Sequence, residues 1–236
     1  MKYTRTISLF VILLLSGVSL SAQTVDEVVN KYLKAIGGKE TISKINSLYV
    51  ESKMSAMGME GPIKITTLNG KGYKQEIEIM GAKIVSCFTD QGGWSINPMM
   101  GSGTAEAMPE AQYLAGKDQI VIGAPFVNYK ESGYQAEITG NETVGDVEAV
   151  KIKMTSPANI SATYYFDPST GYLVKAIQPG DMGETVATYS DYRQVEGYAM
   201  PFKVENNIGG GQFVMTMTIN TVEVNKAVDE SIFQKP

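Results

Sequence analysis

Residues 213–220 read FVMTMTIN, and their alternation limits what the chain can become: Phe213, Met215, Met217 and Ile219 share one side, Val214, Thr216, Thr218 and Asn220 the other. Only an extended strand, with its period of two, can bury the first set while wetting the second. The pattern recurs. Leu48, Val50 and Met54 form one dry face, followed by Ile63 and Ile65, Ile77 and Ile79, Ile84 and Phe88. Later come Val150, Ile152 and Met154, then Ile160, Tyr164 and Phe166, then Met200, Phe202 and Val204. Opposing faces carry Lys151 and Lys153, or Glu76 and Glu78. Strands are therefore expected over 48–57, 61–69, 72–80, 82–89 and 94–96, and again over 134–139, 148–155, 160–166, 172–178, 185–194, 200–207 and 212–224. Turn chemistry separates them. Asn69-Gly70 suits a type I′ hairpin, in which both residues take positive φ. Asp167-Pro168-Ser169-Thr170-Gly171 combines a proline-fixed φ with a left-handed glycine. Roughly a dozen short strands at hairpin spacing make an antiparallel sheet or barrel.

Two segments depart from this period. Thr24 and Glu27 have capping-box spacing, and Val25, Val28, Val29, Tyr32, Leu33 and Ile36 then fall on one helical face before Gly37-Gly38. A second helical piece over 39–46 offers Ile42 and Ile45. The other departure is NPMMGSGTAEAMPEAQYLAGKDQIV, with a helical centre expected over 104–115 and apolar residues Met99, Met100, Met108, Tyr113 and Leu114. A long insertion inside a sheet protein reads either as a lid or as a connecting helix that plugs one end.

Residues 1–22 combine a basic start, an apolar run and small residues ending in Ser21-Ala22, the pattern of a cleaved secretory signal. The expected mature unit is a single domain over 23–236, exported to the periplasm and not lipidated, since no cysteine follows the cleavage site. The formal charge is −5, with 20 basic and 25 acidic residues, and loss of Lys2 and Arg5 makes it more acidic. That argues against nucleic acid, which needs a basic stripe. One cysteine gives no internal disulfide.

The chemistry-bearing residues are few. The chain has no histidine, which removes Ser-His, Cys-His and His-metal arrangements. Cys87, inside KIVSCF, reads as an inert buried thiol. The Gly101-Ser102-Gly103 stretch lacks the third glycine of a phosphate loop, and the carboxylates show no paired spacing. No catalytic residue, metal ligand or cofactor is expected. What remains is apolar surface. Thirteen methionines favour a wall that adapts to varied guests, although each residue alone also reads as ordinary core. The candidate groove wall comprises Met54, Ile65, Ile77, Ile79, Phe88, Trp94, Met154, Phe166, Phe202, Phe213, Met215 and Met217. Met99, Met100, Met108, Tyr113 and Leu114 form the candidate lid.

The order of four stretches carries a resemblance. VDEVVNKYLKAIGGKETISKINSLYVESKM opens the mature chain, YYFDPSTGYLVKAI and YSDYRQVEGYAMPFKVE follow, and INTVEVNKAVDESIFQKP closes it. Over nearly the whole mature length this resembles the LolA-like superfamily of outer-membrane lipoprotein-sorting proteins, particularly the versions common in Bacteroidetes. The resemblance implies a half-open, strongly curved antiparallel β-barrel with helices on its concave face. It also implies a monomeric periplasmic carrier of lipid or lipoprotein acyl chains, with envelope membrane proteins as donor or acceptor. A protein-interaction or sensing module with a self-filled cavity is the alternative. The early strands here have Lys53 and Lys64 but no arginine, and Arg193 falls late, so no lid-latching residue is carried over.

Overall fold

The computed structural model describes residues 23–236 except Met100, Ser102, Asp181 and Met182, so the expected signal over 1–22 lies outside the described residues. Helix α1 (Val25–Ala35) begins where its capping box puts it. Thr24 Oγ1 accepts from the Glu27 amide at 3.2 Å, and Glu27 Oε2 accepts from the Thr24 amide at 2.7 Å. Val28, Val29 and Leu33 are buried along its inner face. Gly37 ends the helix with φ 121°, and a Cβ there would lie 2.3 Å from the Gly197 carbonyl oxygen. The glycine stop therefore terminates α1 and also lets a hairpin turn press against it, where the Ala199 amide donates to Ile36 O at 3.0 Å. Helix α2 (Gly38–Ser43) follows and buries Ile42.

Among the described residues, thirteen strands form one sheet. They are β1 (Ser47–Ala56), β2 (Met59–Leu68), β3 (Gly72–Ile79), β4 (Ala82–Thr89), β5 (Gly93–Ile96) and β6 (Glu106–Ala107). After helix α3 (Glu110–Gly116) come β7 (Gln135–Val144), β8 (Val147–Thr155), β9 (Ser161–Phe166), β10 (Leu173–Gly180), β11 (Gly183–Val195), β12 (Tyr198–Ile208) and β13 (Phe213–Val224). The spatial order is β6-β5-β4-β3-β2-β1-β13-β12-β11-β10-β9-β8-β7. Two antiparallel meanders thus meet where β1 pairs with β13, and the outer strands β6 and β7 do not pair with each other. The sheet is strongly curled. Leu48 and Val50 of β1 share a core with Val150 and Ile152 of β8. Six strand spacings would hold them about 29 Å apart if the sheet were flat. Register shifts at Glu51/Ser52 and Ile138/Gly140 add twist. The result is a mainly β half-barrel, open along one side, with helices inside the curve.

Two boundaries differ most from the sequence reading. The mid-chain helix is shorter than 104–115, because Pro109 occupies its N-cap with φ −54° and the preceding Glu106–Ala107 pairs with β5 instead. Strand β7 continues past Thr139 through a bulge to Val144, where Gly145 turns the chain with φ 59°.

Candidate ligand groove

The concave face is divided into a filled part and an open part. Helix α1 and residues 122–129 occupy the curve under β7 to β12 and the Leu48–Val50 end of β1, while the turn Lys117–Ile120 lies against β2–β4. Ile36, Ile42, Ile122, Phe126 and Tyr129 pack with Val150, Ile152, Tyr164, Phe166 and Leu173. Phe126 stands edge-on to Tyr32 at 4.9 Å, to Tyr164 at 4.9 Å and to Phe166 at 5.4 Å. Burial drives the Tyr32 hydroxyl well above its ordinary pKa, and Tyr189 and Tyr198 are pushed up to about 12 for the same reason. The helix is clasped from both ends. Tyr129 OH donates to Asp26 Oδ1, Lys130 pairs with Asp26, and Lys31 Nζ donates to Pro168 O. The Asp-Pro-Ser-Thr-Gly turn is built for this contact. Asp167 Oδ1 accepts from the Ser169 amide at 2.7 Å, Oδ2 accepts from Thr170 Oγ1 at 2.7 Å, and Gly171 takes φ 83° beside Lys31 and Ala35.

The open part lies on β1–β4 and β13. Met54, Ile63 and Ile79 form a buried floor there. Around it stand Met59, Ile65, Ile77, Ile84, Met215 and Met217, all half-buried. Every member of this cluster is a strand residue. Register explains the assembly: Met54 lies opposite Met217, Ala56 opposite Met215, and Ile63 opposite Ile77. Phe213 continues the same face and is half-buried. Ser52 also points into this face, 2% exposed, with its hydroxyl unpartnered.

The proposed wall residues therefore fall into four groups. Met54, Ile65, Ile77, Ile79, Phe213, Met215 and Met217 come together in or beside the open part. Met154, Phe166 and Phe202 face the concave side but are 1%, 1% and 6% exposed, packed into the core around α1. Phe88 is concave too, but it lies beneath α3, with Gly116 against its ring. Trp94 departs from expectation. It pairs with Cys87, whose side chain faces the convex side, and its Nε1 donates to Phe233 O at 2.8 Å. There, Val85, Cys87, Trp94 and Phe233 form a separate small core under the C-terminal segment.

The lid residues also divide. Met108 packs on Gly93, Tyr113 OH donates to Thr89 O at 3.0 Å, and Leu114 faces inward. Met99 is 57% exposed, away from the groove floor, and Met100 lies outside the described residues. Between α3 and strands β8–β10 sits a cavity of 330 Å³ that includes Leu114, Asp118, Met154, Tyr164 and Gln178 in its wall. Sequence reasoning missed the segment that most deeply enters the curve. Its only signal was the run Ile120 to Tyr129, apolar but without a period.

The polar side chains that register places on the open wall, Ser52, Gln75 and Ser86, are uncharged. Lysine hydrogen bonds hold Glu142 below the usual carboxylate range, and hydroxyl and amide hydrogen bonds outweigh burial to do the same for Asp167. A general acid needs the opposite displacement. Arg193 is tied to Asp191 at 2.6 Å and lies over the Phe202 ring at 4.6 Å. Among the described residues no group of three or more His, Cys, Asp or Glu is placed to hold a metal ion. Among the same residues, no helix is long and apolar enough to cross a membrane.

No family model matches the chain, and no curated protein matches it. Solved structures do. A LolA superfamily protein from Nitrosomonas europaea superposes with TM-score 0.59 at 13% identity, covering 91% of this chain and 99% of that one. This chain has the LolA-like fold. A domain described as an outer membrane lipoprotein-sorting protein from Vibrio parahaemolyticus gives TM-score 0.58 at 12% identity, over 89% and 95% of the two chains. A DUF1329 family protein from Desulfovibrio piger gives 0.61 at 10% identity, over 89% and 97%. At such identities the likeness is one of LolA-like architecture. Activity has to be argued from the site.

Proposed function

We propose that the protein is a periplasmic carrier or binding protein for the acyl chains of lipids or lipoproteins, without catalytic activity of its own. The observation that supports this reading most is the open methionine-rich wall of β1–β4 and β13, where half-buried apolar side chains surround a buried floor and every cluster member is a strand residue. A soluble domain has reason to leave such a surface uncovered when a guest covers it. Thioethers suit a guest of variable shape. Each methylene buried is worth about 0.8 kcal/mol, so a modest groove gives useful affinity without polar chemistry. The lipoprotein-sorting description of one structural neighbour agrees with this reading. Loading and delivery would then involve envelope membrane proteins as donor and acceptor. The filled half of the curve favours a second reading, an envelope sensing or interaction module whose cavity holds its own helix. Native mass spectrometry of freshly purified protein separates the two. A carrier retains a heterogeneous set of lipid masses that delipidation removes. A bare polypeptide mass that persists after incubation with lipid would leave the second reading standing.

A further inference from the structure

Resting on the carrier reading, the cavity beneath α3 bears on which lipids are carried. Unlike the methionine wall, it is edged with hydrogen-bonding groups: Asp118, Gln119, Tyr134, Ser156, Tyr164 and Gln178. Asp118 is the one carboxylate among its lining residues, and no lysine or arginine is among them. Asp118 Oδ2 accepts the Tyr134 hydroxyl, which leaves the carboxylate further acceptor sites. Register links this cavity to the open wall. Gln178 lies opposite Thr185, Thr185 opposite Ile208, and Ile208 opposite Phe213, a row across the concave face of β10–β13. Three strand spacings, about 14 Å, therefore separate a polar chamber from an apolar wall on one continuous surface.

We infer that the cavity is a headgroup chamber for a lipid whose polar end donates hydrogen bonds and carries no negative charge, while its tail lies along Phe213, Met215 and Met217. Asp118 and the amide of Gln178 accept from hydroxyl or ammonium groups. A phosphate or free carboxylate there would face Asp118 with no cation among the lining residues, and such like-charge juxtaposition is costly.

The test titrates delipidated protein with 1-lauroylglycerol and with its 3-phosphate ester, two ligands that share a tail. The parent is expected to prefer the uncharged lipid by about tenfold or more. Asp118→Asn should shrink that preference several-fold, mainly by improving phosphate binding. Because Asp118 also holds Tyr134, a second variant is needed: Ala162, on β9, also lines the cavity, and Ala162→Leu fills the chamber without removing a polar group. It should keep the parent's melting curve and lose the preference by weakening lauroylglycerol. Equal affinity of the parent for both lipids, or a preference untouched by both variants, overturns the headgroup assignment and leaves the carrier reading intact. Failure of the parent to bind either lipid removes both.

Discussion

Met154 and Met217 are the same residue type on the same concave face, yet their surroundings differ. Met154 is 1% exposed within the core around α1, whereas Met217 is half-buried in the open wall. Met154→Ala is expected to cost about 2–5 kcal/mol, because it leaves a cavity that its neighbours fill only in part. Met217→Ala should cost well under half of that, since its side chain never had full contacts to lose. Urea denaturation of the two variants checks the contrast, and equal losses would mean that the wall is ordinary core. Asp167 gives a pH dependence. Its folded pKa is depressed by the Ser169 and Thr170 hydrogen bonds despite opposing burial. Its contribution is therefore present above the unfolded carboxyl value of about 4 and is lost as pH falls through the folded value. Thermal melts from neutral to acid pH should fall more steeply for the parent than for Asp167→Ala, which starts lower. Parallel curves would show that the turn owes nothing to this carboxylate.

The C-terminal segment acts as a strap across the convex face of β3–β5. Phe233 is 5% exposed and its ring covers Gly72, where a Cβ would lie 2.6 Å from the ring. Beneath it lies Cys87, 0% exposed, with its thiol 3.5 Å from Phe233 O and pushed up to about 11 by burial. Phe233→Ala is expected to cost about 3–5 kcal/mol. It should also red-shift the emission of Trp94, the sole tryptophan, and make Cys87 react with thiol reagents. Unchanged emission and reactivity would contradict the strap. This element also shows what was legible in the sequence. Long alternating strands such as β1 and β13 announce which face is dry, and glycine turns such as Asn69-Gly70 after β2 and Gly209-Gly211 before β13 mark strand ends. Strand β4 carries Ile84, Val85, Cys87 and Phe88, apolar on both faces, and β5 has four residues. Periodicity alone could not orient Trp94 there. The informative signal was the doubled apolar face itself, which requires a cover on each side, together with Val228, Ile232 and Phe233 near the C-terminus. The segment 117–133 was hidden for a related reason: its apolar residues follow neither period, and only the curve of the sheet gives them a surface to fill.

At the scale of the whole molecule, an open sheet of thirteen strands curls more than one amphipathic helix can fill. One part of the concavity is closed by α1 and residues 122–129. The other keeps a methionine wall within reach of a guest, with a polar chamber at its far side. The division explains how a chain without histidine, and with its perturbed carboxylates held ionised, could still have a specific task. The most direct measurement is uptake of a fluorescent fatty acid by delipidated protein, comparing the parent with Met217→Lys and Val214→Lys. Both substitutions sit on β13, one on the concave wall and one on the opposite face, where Val214 is 42% exposed. The expected result is that both variants melt near the parent, Val214→Lys takes up the probe normally, and Met217→Lys does not. A parent that binds no acyl probe, or a Met217→Lys variant that binds it as well as the parent, would contradict the account.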